Sequence, residues 1–413
     1  MTRSGQTERP LRIVQAGAFP FPSPQGSQVF VRGMARALAR RGHAVSVVCY
    51  GHGLGQPDPE YQVIRTPKVP GYRRLRAGPD PVKPVLDIAL AARIAATEAD
   101  IVHAHNYEAA IAALAARHLT GVPVVYNAHN TMGEELPTYF SGRLATHLAS
   151  RLGRTLDHAV PRWADHALAL TPQAAETLRG LGCDRVSCVA PGVDVAEFDD
   201  VTPATLAGGP WVVYAGNPDK YQDLEVLVAA MGLVPEAGLL LISASDLGAW
   251  QRTGLDRLRC EVTSDFDRVK SLVAGAAVAA LPRAVCSGYP IKLLNYLGLG
   301  VPTVAAAGSA QALPGVICVP NRDPTAMAEA IRSLLEDPVN RTTLGSRART
   351  HVRETCGWDV RVQELEAVYA TVLRDCDRTA ARHSRYRSAH ARRYTAGHTT
   401  RMRPASAGMR EFR

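Results

Sequence analysis

What the 413-residue chain lacks already excludes several classes of protein. No run of apolar residues approaches the roughly 18 in succession that a membrane span requires. The opening MTRSGQTERPLRIV has no apolar core ahead of its first strand-like run, so no secretory leader is expected. The eight cysteines are scattered, with no C-x-x-C pair and no zinc-ligand spacing, which argues against a disulfide scaffold or a zinc ribbon and for reduced thiols in a cytoplasm. No internal repeat is apparent. Charge is missing from most of the molecule too. The net +9 is carried entirely from Arg378 onward, where ten arginines meet one acid, Glu411, and the residues before it are balanced. A basic tail on a neutral body does not make a specific nucleic-acid binder, and the composition of that tail predicts disorder.

What is present is an alternation. Short apolar runs, among them Ile13–Gly17, Val45–Cys49, Asp100–His105 and Val122–His129, alternate with helical patterns such as Gln28–Arg40, the order expected of β-α-β units and parallel sheets. A second series starts at Trp211 with Trp211–Gly216, Gly238–Ser243, Ala277–Leu281, Pro302–Ala307 and Val316–Pro320. The expected fold class is α/β, with two doubly wound Rossmann-like domains facing across a cleft. Residues 1–195 form the first domain, 196–210 the linker, 211–376 the second domain with closing helices, and 377–413 the tail.

The densest chemistry lies in LPRAVCSGYPIKLLNYLGLGVP, from Leu281 to Pro302. A strand gives way to a loop at Gly288 and then to a helix near Pro290, whose missing N–H costs nothing in a first turn. Free amides at such a helix start make a phosphate site. Lys292 stands where a cation is slightly unfavourable unless an anion binds beside it.

This stretch resembles the donor-binding segment of the retaining family 4 glycosyltransferases of GT-B architecture. Pro290, Lys292, Leu293, Tyr296 and Leu297 match its P-x-K-L-x-E-Y-L form, and Gly300-Val301-Pro302 its G-x-P turn. The opening strand, Gly-rich loop and first helix, the segments ADIVHAHNYEA, VVYNAHNT and VAPGVDVAEF, and the closing helices extend the likeness over most of the chain. The resemblance implies a nucleotide-sugar donor, transfer to an acceptor hydroxyl with retention of configuration, and neither metal nor cofactor. By it, His129 is the histidine that contacts the donor sugar at the reacting centre, and Gly26, with Ser27, lies near the diphosphate.

The pattern is also broken. The family's two glutamates fall on Ser287 and Asn295, and its arginine and lysine after the first strand of the second domain become Asn217 and, one or two positions away, Lys220. The donor side is therefore expected to comprise Gly26, Ser27, Asn217, Lys220, Ser287, Gly288, Tyr289, Lys292 and Asn295, with amides and lysines compensating for the lost groups. His105, Glu134 and Glu135 are expected on the acceptor side. The basic loop Lys68 to Lys83 suits an anionic or lipid-linked acceptor, with at most peripheral membrane contact, or a small metabolite. Two D-x-D strings, Asp265–Asp267 and Asp375–Asp377, lie at helix ends, where Asp265 reads as an N-cap. The competing expectation is a catalytically silent scaffold that keeps the fold and binds a nucleotide or a partner.

Overall fold

A computed structural model of the chain describes residues 9–23, 26–51, 53, 58–69, 80–286 and 288–399, with side chains through residue 378. Ser287 and residues 70–79 of the basic loop, both singled out by sequence, lie outside the described residues.

The strands are β1 (Arg12–Pro20), β2 (Ala44–Tyr50), β3 (Gln62–Arg65), β4 (Ile101–His105), β5 (Val124–Ala128), β6 (His166–Ala169), β7 (Val186–Cys188), β8 (Trp211–Ala215), β9 (Gly238–Ser243), β10 (Leu258–Val262), β11 (Val278–Leu281), β12 (Thr303–Ala306) and β13 (Val316–Val319). Among the described residues they form two all-parallel sheets, β3-β2-β1-β4-β5-β6-β7 and β10-β9-β8-β11-β12-β13. The first-domain helices are α1 (Gly26–Arg40), α2 (Lys83–Ala95), α3 (Asn106–Thr120), α4 (Met132–Glu135), α5 (Arg143–Trp163) and α6 (Pro172–Gly180). In the second half come α7 (Leu224–Gly232), α8 (Phe266–Ala274), α9 (Ile291–Gly298), α10 (Pro324–Glu336), α11 (Pro338–Thr355) and α12 (Trp358–Thr399).

Central strands such as β4 and β9 are buried at every residue because helices cover both faces, which is why they read as mainly apolar runs, broken in β4 by His103 and His105. The edge strand β10, LRCEV, does not: its residues are half-buried or exposed and include Arg259 and Glu261, so no apolar run marked it in the sequence. In each sheet the order reverses beside the first strand, between β1 and β4 and between β8 and β11. Ligands of open α/β sheets bind outside the carboxyl ends of strands at such switch points.

Two boundaries differ from the sequence reading. Phe198, assigned to the linker, is buried in the second-domain core against Leu293, Leu297 and their neighbours. Helix α12, assigned to the second domain, crosses back and packs on the first. Trp358, Val362, Leu365 and Tyr369 join the core of β1 and α1, and Glu366 accepts from Arg41 at 2.6 Å and faces His43 at 3.0 Å. Sequence periodicity shows that a helix has an apolar face but not which core receives it. The same helix runs on through Thr399, where the tail was expected to be disordered; its arginines and alanines are strong helix formers.

Candidate active site in the interdomain cleft

The cleft end of the first domain is built from the carboxyl ends of β1, β4 and β5. His129 follows β5 and is buried, with Phe30 of α1 edge-on at 4.9 Å between ring centroids. Phe30 lies one turn into α1, so the helix start at Gly26 and Ser27 stands at the same end of the sheet. Gly26 is exposed, and a Cβ there would meet no neighbouring atom within 4 Å.

Behind His129 runs a chain of buried polar groups that fixes its tautomer. Gln15 Nε2 donates to Tyr369 Oη at 3.3 Å, so Gln15 Oε1 accepts from His105 Nε2–H at 2.5 Å. A neutral His105 then has a bare Nδ1, which accepts from His129 Nε2–H at 3.0 Å. His129 is left with a bare Nδ1. At the far end Tyr369 Oη–H donates to His103 Nδ1 at 2.7 Å, which leaves His103 Nε2–H buried with no partner among the described residues. Burial holds all three rings neutral: it pushes His129 down to about 4 and His103 to about 3, and, together with the neighbouring rings, takes His105 well below its ordinary value. His105 was expected on the acceptor side, but its burial keeps it from reaching an acceptor. It is wholly buried behind His129 and acts only through that ring.

The second domain faces this end with the β11–α9 loop. A Cβ on Gly288 would collide with the His129 carbonyl oxygen and Asn130 Oδ1, so only glycine permits this approach of the domains. Tyr289 does not point to the donor side alone. It packs against the cores of both domains and bridges them. Helix α9 begins after Pro290 and is tied to the end of β8 by Tyr296, whose hydroxyl accepts from the Ala215 amide at 2.8 Å and donates to its carbonyl at 3.1 Å.

That tie carries Lys292 over the turn after β8. Its ammonium donates to Tyr214 Oη at 2.8 Å and to Gln222 Oε1 at 3.3 Å, and lies 4.3 Å from the Tyr214 ring centroid. A Cβ on Gly216 would occupy the same space. Both hydrogen-bond partners are neutral. Burial, and after it the nearby Arg283 guanidinium, lower Lys292 to about 7. Arg283, which sequence reasoning missed, stacks over Tyr221 at 4.9 Å. An arginine just past the end of β11 was the available signal. Asn295, half-buried, stands three residues along the helix from Lys292.

The other expected donor residues are less central. Asn217 is exposed and its amide is held by Asp219 at 2.9 Å. Lys220 is exposed at the start of the 3-10 turn whose last residue, Gln222, bonds Lys292. On the acceptor side, Glu135 accepts from Asn130 at 2.9 Å and from Tyr139 at 2.8 Å, whereas Glu134 is exposed. Among the described residues no group of three or more His, Cys, Asp and Glu is arranged to hold a metal. Asp265 caps α8 through the Asp267 and Arg268 amides.

The paired parallel sheets, the back-crossing helix and a cleft that joins a histidine to a helix start define a GT-B architecture. Residues 24–197 match the model of Glycosyltransferase Family 4, and residues 209–337 match that of Glycosyl transferases group 1. The chain is a glycosyltransferase of GT-B architecture, and its first domain matches the Family 4 model. It is 26% identical to a D-inositol 3-phosphate glycosyltransferase of Xylanimonas cellulosilytica, over 84% of this chain and 91% of the relative. It is likewise 26% identical to a phosphatidyl-myo-inositol mannosyltransferase of Mycolicibacterium smegmatis, over 88% of this chain and 94% of the relative. Among solved structures, sucrose-phosphate synthase from Thermosynechococcus elongatus superposes with a TM-score of 0.76 at 20% identity, covering 89% of this chain and 100% of the other. Anabaena HepE in complex with UDP gives 0.65 at 14% identity, covering 87% and 100%. At these identities the structures speak to fold.

Proposed function

We propose that the chain transfers a glycosyl unit from a nucleotide sugar to an acceptor hydroxyl, with retention of anomeric configuration and without a metal. The observation that carries this reading is Lys292: a cation held by neutral partners at a helix start, across the cleft from His129. An anion bound there would restore its charge and complement the helix end. Lys292 and Arg283, together with the α9 amides, serve the departing diphosphate, taking the part of the absent arginine. His129 presents bare Nδ1 to accept a sugar hydroxyl, and this neutral contact orients the donor. The acceptor enters from the first-domain side near Glu134. The relatives named for inositol phosphate and phosphatidylinositol make a phosphorylated polyol, free or lipid-linked, the first acceptor to try.

The test is a thermal-shift screen of UDP-, GDP- and ADP-sugars, followed by transfer in EDTA with the product anomer read by NMR. An inverted product, or dependence on added metal, would overturn that part of the reading. A silent scaffold is the second reading, favoured by Asn295 and by Asn217 being spent on Asp219. Nucleotide binding with neither transfer nor donor hydrolysis would support it.

A further inference from the structure

Helix α5 presents a face that the cleft does not use. It is 21 residues long, about 30 Å, and its buried side consists of Ala149, Gly153, Asp157, Val160 and Pro161. On the exposed side Leu144 is 73% accessible, and Leu148 and Leu152 are each 56% accessible. At four-residue spacing these leucines form one continuous stripe. Exposed Tyr139 and Phe140 lead into it, and Trp163 stands exposed at its far end. At 100° per residue the leucines take one half of the exposed arc, and Arg143, Arg151 and Arg154, all exposed, take the other.

The charge on this face has one sign. The sole acid of the helix, Asp157, is turned inward, where its two oxygens accept from the Met132 and Gly133 amides at 2.7 Å each. A stripe of large apolar side chains whose charged neighbours on the helix are arginines suits a layer that is apolar below and negatively charged at its surface. We propose that α5 docks the enzyme on an anionic lipid bilayer, with the leucines at the head-group boundary and the arginines on lipid phosphates.

The location supports the assignment. The segment between His129 and α5 is continuous, and Glu135 joins Asn130, which touches the Gly288 loop, to Tyr139, which precedes the stripe. A bilayer on this face would lie beside the acceptor end of the cleft. The inference does not depend on which sugar is moved, or on whether transfer occurs.

The experiment is sedimentation of the full-length protein with phosphatidylcholine vesicles, with and without phosphatidylglycerol. Binding is expected only to the anionic vesicles. It should fall by about tenfold or more in Leu144→Ser/Leu148→Ser/Leu152→Ser, and by a similar factor in Arg143→Glu/Arg151→Glu/Arg154→Glu. Thermal melts confirm that each variant folds, and a Leu148→Trp variant should shift its emission to the blue on anionic vesicles. Failure of the wild type to bind overturns the proposal. So does wild-type binding by the serine variant, which would assign adhesion to the basic tail, and so does a wild-type dimer that the serine variant disperses, which would make the stripe an interface between copies. Nucleotide-sugar stabilisation, measured without vesicles, reports on the transferase reading separately.

Discussion

At His129 the protonated nitrogen is decided by wholly buried residues behind it. The chain from Tyr369 through Gln15 and His105 leaves Nδ1 bare. Long-range ¹⁵N–¹H spectra should therefore show His105 and His129 protonated at Nε2 and still neutral at pH 6. The cost is acid sensitivity. Each of the three rings takes up a proton in the unfolded chain but not in the folded one, between the ordinary value of 6.5 and its own lowered value. The sign follows: this stability is fully present above about pH 6.5 and is lost as pH falls, by about 1.4 kcal/mol per unit and per ring. Denaturant unfolding between pH 6.5 and 5 measures it. His103→Asn keeps an acceptor for Tyr369 and should remove the share of that one ring, about 1.4 kcal/mol per pH unit.

Lys292 titrates the other way with respect to ligand. Only its protonated form attracts a diphosphate, so affinity should fall as pH rises through about 7. Lys292→Gln should weaken nucleoside diphosphate binding by about tenfold or more and remove that part of the pH dependence. Comparing the two proteins by calorimetry across pH separates the lysine from the phosphate's own titration.

Among elements, the β11–α9 unit decides whether the halves of the site meet. Gly288 abuts the His129 carbonyl and Tyr289 joins both cores, so the loop is a contact between domains as well as a phosphate cradle. Gly288→Ala should push the loop off His129 and reduce transfer by about tenfold or more, an overpacking effect of about 1–3 kcal/mol localised at the cleft. The melting temperature should fall by no more than a few degrees. A variant that transfers at the wild-type rate would show that the domains need not approach this closely.

For the whole molecule, α12 carries the chain from the second domain back onto the core of the first. The Trp358 amide donates to the Val193 carbonyl at 3.1 Å, where the chain first leaves the first domain, and the indole packs against Phe30 at 5.2 Å. Gly33 and Gly192 both lie against that indole too closely for a side chain. Trp358→Ala should cost about 3–5 kcal/mol and split a single thermal transition into two, as read by calorimetry. Retention of one transition would place the coupling elsewhere along the crossing.

The sequence by itself determined the alternation of strand and helix, the two parallel sheets and the loop-helix segment around Lys292. Those depend on local apolar periodicity and on proline and glycine placement, which are written residue by residue. It did not disclose β10, because a half-buried edge strand needs no apolar run. It did not show that α12 returns to the first domain, because a helical stripe fits either core. His105 and His129 stood out as histidines at strand ends, but their bond to Gln15 and Tyr369 joins residues up to 354 positions apart. Such proximity is created by the packing of α12 across β1 and β4, and with it the tertiary structure alone decided which nitrogen of His129 is left bare.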